Sequence, residues 1–163
     1  GDLFCVRVAG NVVSDDILAS IEYACHVIGA KLIVVLGHTR CGAIEAACTA
    51  PEQEGHVPQL LSKLKPAIEA EEVLSTKKSI HNKAYFRDIT ELNIANTLYN
   101  IYQQSTVLKK SLDNKTIGMV GATYDVNTGK VHFDNFSKRV TQLKHKPLKA
   151  LNEQLEALVT PKN

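Results

Sequence analysis

Lys31-Leu32-Ile33-Val34-Val35-Leu36-Gly37-His38-Thr39-Arg40-Cys41-Gly42 carries the strongest structural signal in the chain. Residues 32–36 form an unbroken apolar run of strand length, rich in β-branched side chains, as expected of a strand covered on both faces. Gly37 and the polar residues after it end the strand, and residues 43–48 begin a helix. A buried strand that passes through a tight turn into a helix is the building unit of an α/β fold. Ligands in open α/β sheets bind at the carboxyl ends of the strands, and this turn lies at such an end.

Upstream, residues 3–8 alternate loosely and are rich in β-branched and aromatic types, which predicts another strand, ended by Gly10-Asn11. Ser14-Asp15-Asp16 then offers a capping hydroxyl and first-turn acids. Ile17, Leu18, Ile21, Ala24, Cys25 and Ile28 follow at helical spacing, and Gly29 closes the helix. Downstream, residues 58–72 read as a helix with Leu60, Leu61, Leu64 and Ile68 on one face, and Pro66 in its middle demands a kink or break. Residues 86–108 are the longest periodic stretch. Residues 116–124 return to strand character, Asn127-Thr128-Gly129 signals a turn, and residues 131–136 supply the second arm of a hairpin.

The order strand, helix, strand, helices, strand, strand predicts an α/β fold: a mostly parallel β-sheet flanked by helices, closed by an antiparallel edge hairpin. Residues 1–136 make up this domain. Residues 137–163 read as a basic arm, with Lys138, Arg139, Lys144, Lys146 and Lys149, followed by a short amphipathic helix over 148–159.

Composition narrows the function. The chain has 163 residues, 44% hydrophobic and 22% charged, which suits one globular domain and excludes disorder. No apolar run approaches the roughly 20 residues of a membrane span. The opening Gly-Asp-Leu-Phe has neither the basic start nor the apolar core of a signal peptide, which favours a cytoplasmic protein. It also lacks an initiator Met, as a piece cut from a longer chain would. A net charge of +2 gives no argument for nucleic acid. Four cysteines in a chain with a real core and no export signal point to reduced thiols, one of them a candidate metal ligand or nucleophile.

His38 and Cys41 flank one tight turn, so both can reach a single ion, and imidazole nitrogen with thiolate sulfur suits Zn²⁺. Cys41 also stands where a helix begins, and free N–H groups there favour a thiolate. Gly42 lets a ligand approach the backbone. The pair alone is a weak motif, because a zinc site needs three or four ligands. Cys5, inside the first expected strand, and Cys25, on an apolar helix face, read as buried packing residues. Cys48 lies two helical turns beyond Cys41 and reads as packing. His26 and His145 read as surface residues, and His56, His81 and His132 as structural ones. Arg7 either faces solvent or meets an anion.

Three blocks carry a family resemblance. They are the run from Gly1 to Asn11, the segment Ser20-Ile21-Glu22-Tyr23-Ala24, and the run from Ile33 to Ala43. Together they resemble the β-class carbonic anhydrases. Gly121-Ala122-Thr123-Tyr124-Asp125-Val126, Thr128-Gly129 and Val131-His132-Phe133 look like that family's last two strands. The variant is similar to bacterial domains, some fused behind sulfate-permease-type bicarbonate transporters. The resemblance implies zinc held by Cys, His, Cys and an exchangeable fourth ligand, with His38 and Cys41 as the second and third. It implies that Phe4 and Ala9 line a small apolar CO₂ pocket, that Gly42 offers its backbone there, and that Tyr23 reaches into a neighbour's pocket. Val8 replaces an Asn common in the family. The family's first ligand sits in a Cys-x-Asp-x-Arg motif upstream of the residue matching Gly1, so that ligand and the catalytic Asp–Arg pair do not occur in this sequence.

The family's first strand lies between those matching residues 3–8 and 31–36, and leaving it out opens a gap of about 9.6 Å. The expected fold thus lacks its first central strand. Three arrangements remain open: upstream residues fill the slot, a segment such as 137–163 fills it, or the flanking strands pair directly. Three functions are open as well. One is a zinc lyase that interconverts CO₂ and bicarbonate as a dimer or larger, inactive as this chain alone. Another is a non-catalytic regulatory or interaction domain of the same family. The third is unrelated chemistry with Cys41 as a thiolate nucleophile.

Overall fold

The computed structural model describes residues 1–49, 52–74 and 83–133. The elements are α1 (Asp15–Tyr23), β1 (Leu32–His38), α2 (Gly42–Thr49), α3 (Val57–Ser62), α4 (Lys65–Leu74), α5 (Lys83–Gln104), α6 (Thr106–Asp113), β2 (Gly118–Tyr124) and β3 (Val131–Phe133). Strands β1 and β2 run parallel, with Leu32 opposite Gly118 and His38 opposite Tyr124. Strand β3 pairs antiparallel with β2, with Ala122 opposite Phe133. The sheet order among the described residues is β1-β2-β3, so the parallel crossover and the edge hairpin are as the sequence predicts.

Helix α5 is the spine. Ile89, Leu92 and Ala95 face one apolar cluster with Cys41, Ile44 and Leu64. Ile94, Leu98 and Ile101 face a second cluster with Ile33, Val35, Leu108 and Leu112. A helix buried on two sides shows little apolar-to-polar contrast around its axis. The long periodic stretch does not run unbroken to Leu108. Ser105 interrupts it, and its hydroxyl accepts the Leu108 N–H at 3.0 Å as the N-cap of α6. Leu108 keeps its apolar phase across the break and is fully buried.

Around Pro66 the helix breaks as expected. Helix α3 ends at Ser62, and Pro66 enters the first turn of α4, where its missing N–H costs nothing. The helix after Ser14 is regular only to Tyr23 and widens into a π-type turn over Ala24–Ile28, closed by Gly29 at φ 92°. Ser14 holds the N-cap position without a side-chain cap bond.

Two expectations are corrected. Residues 3–8 form no strand, and Cys5, expected to be buried within it, is exposed. Alternation makes a segment fit for a sheet, but a strand exists only with a hydrogen-bonding partner. Strand β1 pairs with β2 alone among the described residues, and does not join 3–8 directly. The second correction concerns coverage. Ile33 and Val35 are buried, whereas Leu32, Val34 and Leu36 are about half exposed. Only the α5 side of β1 is covered among the described residues. Residues 134–163, with the basic arm, the helix over 148–159 and His145, lie outside the described residues, as does His81.

Candidate metal centre

The turn that follows β1 is fixed at three points. Gly37 has no room for a side chain: an added Cβ would stand 2.7 Å from Ile94 Cδ1 and 3.0 Å from Thr90 Cγ2. The strand end is therefore pressed against α5. Thr39 bonds through its N–H to the Tyr124 carbonyl at 2.9 Å, which extends the β1–β2 ladder by one residue. Arg40 then adopts φ 57°, the left-handed region that a non-glycine residue enters only under local constraint. The reversal ends at Cys41, whose carbonyl accepts the Glu45 N–H at 3.0 Å and starts α2.

His38 and Cys41 occupy contrasting environments. Cys41 is 8% exposed, packed in the first apolar cluster. The His38 side chain is exposed, and its Nδ1 lies 2.9 Å from the Thr39 carbonyl. A carbonyl only accepts, so Nδ1 carries a proton, and in the neutral imidazole Nε2 then keeps its lone pair. That is the form a metal-ligating imidazole takes when a backbone carbonyl orients it. The donors suit zinc in kind, and Gly42 leaves open space beside the backbone, since an added Cβ would meet nothing within 4 Å. Among the described residues no three His, Cys, Asp or Glu stand together as a metal cluster.

The expected pocket residues lie on the N-terminal segment, α1 and α2. Ala9 opens a helical turn over Ala9–Asn11, with Gly10 at φ 71°. Phe4 is about half exposed and packs on Tyr23 of the same chain, ring centroids 6.3 Å apart. Gly10 itself is buried against Leu64 and Ala43. Arg7 is exposed.

Sequence reasoning did not single out the residues that hold these parts. Asn93 Nδ2 donates to Gly10 O at 2.8 Å, Thr97 Oγ1 to Asn11 O at 3.0 Å, and Lys63 Nζ to Val13 O at 2.9 Å. On the other side, Asp125 accepts from the Asn127 N–H at 2.9 Å and the Thr128 hydroxyl at 3.0 Å. Hydrogen bonds from the Asn127 backbone first, and then from the Thr128 side chain, hold the Asp125 carboxyl below its usual range. An Asp opening a turn that ends in Gly was the available signal. Cys25 and Cys48, unlike the exposed Cys5, behave as packing residues. Burial raises the Cys25 pKa, and burial together with Glu72 pushes Cys48 up to about 11.

A short parallel sheet, a Gly-His turn at its carboxyl end, a buried Cys at the following helix start and a closing hairpin define the fold of a β-carbonic anhydrase. Two solved structures share it. The β-carbonic anhydrase CafA of Aspergillus fumigatus matches at TM-score 0.73 and 23% identity, over 96% of this chain and 71% of that one. A tetrameric β-carbonic anhydrase of Sordaria macrospora matches at TM-score 0.66 and 23% identity, over 78% of this chain and 65% of that one. The family model described as carbonic anhydrase matches residues 1–131, and the chain belongs to the carbonic anhydrase family. The carbonic anhydrase of Mycolicibacterium smegmatis is 35% identical over 136 residues, covering 80% of this chain. The chain spans 62% of that relative's length.

Proposed function

We propose that this domain, within its complete protein, binds Zn²⁺ and catalyses the reversible hydration of CO₂ to bicarbonate and a proton. The observation that carries the reading is the Nδ1–Thr39 carbonyl bond, which turns His38 Nε2 away from the backbone three residues before the buried Cys41. His38 and Cys41 would hold the metal, with a further ligand and an Asp–Arg pair from residues outside Gly1–Asn163. When bound, zinc supplies the Lewis acidity that makes hydroxide available near neutral pH.

The chain's own residues do the rest. Phe4, Ala9 and the bare backbone of Gly42 would offer CO₂ an apolar surface, which suits a neutral linear molecule with little capacity for hydrogen bonding. Tyr23 contributes to a neighbour's pocket in a homodimer or larger assembly. The half-exposed Leu32, Val34 and Leu36 support self-association, since apolar strand faces gain from being covered. A cytoplasmic location and association with a bicarbonate transporter belong to the same reading.

The test is stopped-flow CO₂ hydration by the complete protein, before and after zinc is stripped by a chelator. Zinc-dependent hydration is expected. A fully zinc-loaded, folded protein without hydration would favour the non-catalytic domain instead. A metal-free protein inactivated by alkylation of Cys41 would favour the thiolate nucleophile.

A further inference from the structure

Thr39 joins the His38 turn to the β2–β3 hairpin, and each of its polar atoms is engaged. Its N–H donates to the Tyr124 carbonyl at 2.9 Å. Its hydroxyl accepts the Val126 N–H at 3.1 Å and donates to Asp125 Oδ1 at 3.5 Å, a long bond. Its carbonyl accepts from His38 Nδ1 at 2.9 Å. Residues 39 and 125 are 86 positions apart and meet because β1 and β2 are parallel and end together, with His38 opposite Tyr124.

Asp125 is itself held. Beyond the Asn127 N–H and Thr128 hydroxyl, its Oδ1 accepts from Asn127 Nδ2 at 3.2 Å. Its N–H donates to Lys130 O and its carbonyl accepts the Gly129 N–H, both at 2.8 Å. The hairpin turn is thus a small rigid unit built around one carboxylate. The His38 imidazole, by contrast, is exposed on the side of β1 left uncovered among the described residues. Among those residues, hydrogen bonding rather than packing orients it.

We propose that Thr39 and Asp125 are positioning residues for His38: the Asp125 turn grips the Thr39 hydroxyl and peptide, and the Thr39 carbonyl then fixes the imidazole as its Nδ1–H tautomer, leaving Nε2 for a divalent cation. The cation part rests on the reading of His38 as a zinc ligand. The tautomer part does not. Partners that orient a ligand in this way change metal affinity by about 10- to 100-fold when removed.

The experiment uses the complete protein with Thr39→Val, Thr39→Ser, Asp125→Ala and Asp125→Asn. Ring-nitrogen NMR on zinc-stripped samples reports the His38 tautomer, and competition with a chromophoric chelator reports zinc affinity. Thermal unfolding verifies that each variant is folded; Asp125→Asn replaces Asp125→Ala, and Thr39→Ala replaces Thr39→Val, if either is not. Wild type and Thr39→Ser are expected to hold the Nδ1–H form and equal zinc affinity. Thr39→Val and Asp125→Ala are expected to populate both tautomers and to bind zinc about tenfold more weakly, with Asp125→Asn between. Wild-type tautomer and affinity in folded Thr39→Val and Asp125→Ala would overturn the proposal. A wild type that takes up no zinc, with the tautomer shifting as expected, would sink the metal reading and leave the positioning of the ring intact.

Discussion

The side-chain amide of Asn93, at the middle of α5, donates to the backbone carbonyl of Gly10 at 2.8 Å, joining residues 83 positions apart. Asn93 is fully buried, so this bond forms without competing water. Replacing Asn93 with Leu leaves the Gly10 carbonyl buried and unpaired. The expected loss is about 1–3 kcal/mol of stability, read as a lower urea midpoint. An unchanged midpoint would mean that the Gly10 turn is held by Thr97 and Lys63 alone.

Gly37→Ala is expected to destabilise by about 1–3 kcal/mol, because the new methyl meets Ile94 Cδ1 and Thr90 Cγ2 at a buried seam. Ile94→Val removes the atom nearest the clash. The double variant should therefore be more stable than the sum of the two single losses. Additive losses would place the strain of Gly37→Ala elsewhere.

These two contacts also mark where sequence reading runs out. The turn from Gly37 to Gly42 was legible because a strand, a glycine, a turn and a helix each leave local signs. Gly37 reads as a turn residue, yet its actual constraint is a helix more than fifty residues downstream. Residues 3–8 have the alternation of a strand, but no pattern within a segment tells whether its partner is in place. The run 32–36 is apolar on both faces, and the sequence cannot say that one face stays uncovered among the described residues. Ser105 was hidden because Leu108 keeps the phase of α5. Thr39 and Asp125 each look like ordinary turn residues until the parallel register sets them side by side.

Thiol labelling orders the cysteines. Cys5 is exposed, whereas Cys48 has its pKa pushed up to about 11 by burial and Glu72. At pH 8 such a thiol is about one part in a thousand thiolate, and the thiolate is the nucleophile. Cys5 should alkylate first and Cys48 far later in the folded chain, as followed by mass spectrometry. A raised pKa means that the folded state holds this proton more tightly than the unfolded one. Its contribution is therefore complete below the ordinary thiol value of 9.0 and is lost as pH rises towards about 11. Cys48→Ala should flatten that alkaline decline. A Cys48 that labels as fast as Cys5 in native buffer would contradict its half-buried placement.

Cys41→Ser in the complete protein is expected to abolish zinc retention and CO₂ hydration together, since a hydroxyl is a poor substitute for a soft thiolate ligand. Metal analysis by mass spectrometry is the check. A full zinc complement in the folded variant would remove Cys41 from the ligand set.

Val34→Glu places a charge at the centre of the β1 face left uncovered among the described residues, where Val34 is 44% exposed. In a self-associating protein it should shift light scattering towards monomer while leaving the isolated fold intact. An unchanged mass would assign the assembly contact to another surface.

Helix α5 also bears on how the domain opens in solution. Ile89, Leu92, Ile94, Ala95, Leu98 and Ile101 are each at most 2% exposed, and the same helix carries Asn93 against Gly10 and Thr90 and Ile94 against Gly37. Amide protons at its centre can reach solvent only when both apolar clusters come apart, so their exchange should report global unfolding. The Gly10 turn and the end of β1 rest on that one helix from different directions. When α5 comes away, both lose their support in a single event. A core variant far from His38 that lowers global stability should then speed exchange at Gly10 and at Gly37 by the same factor.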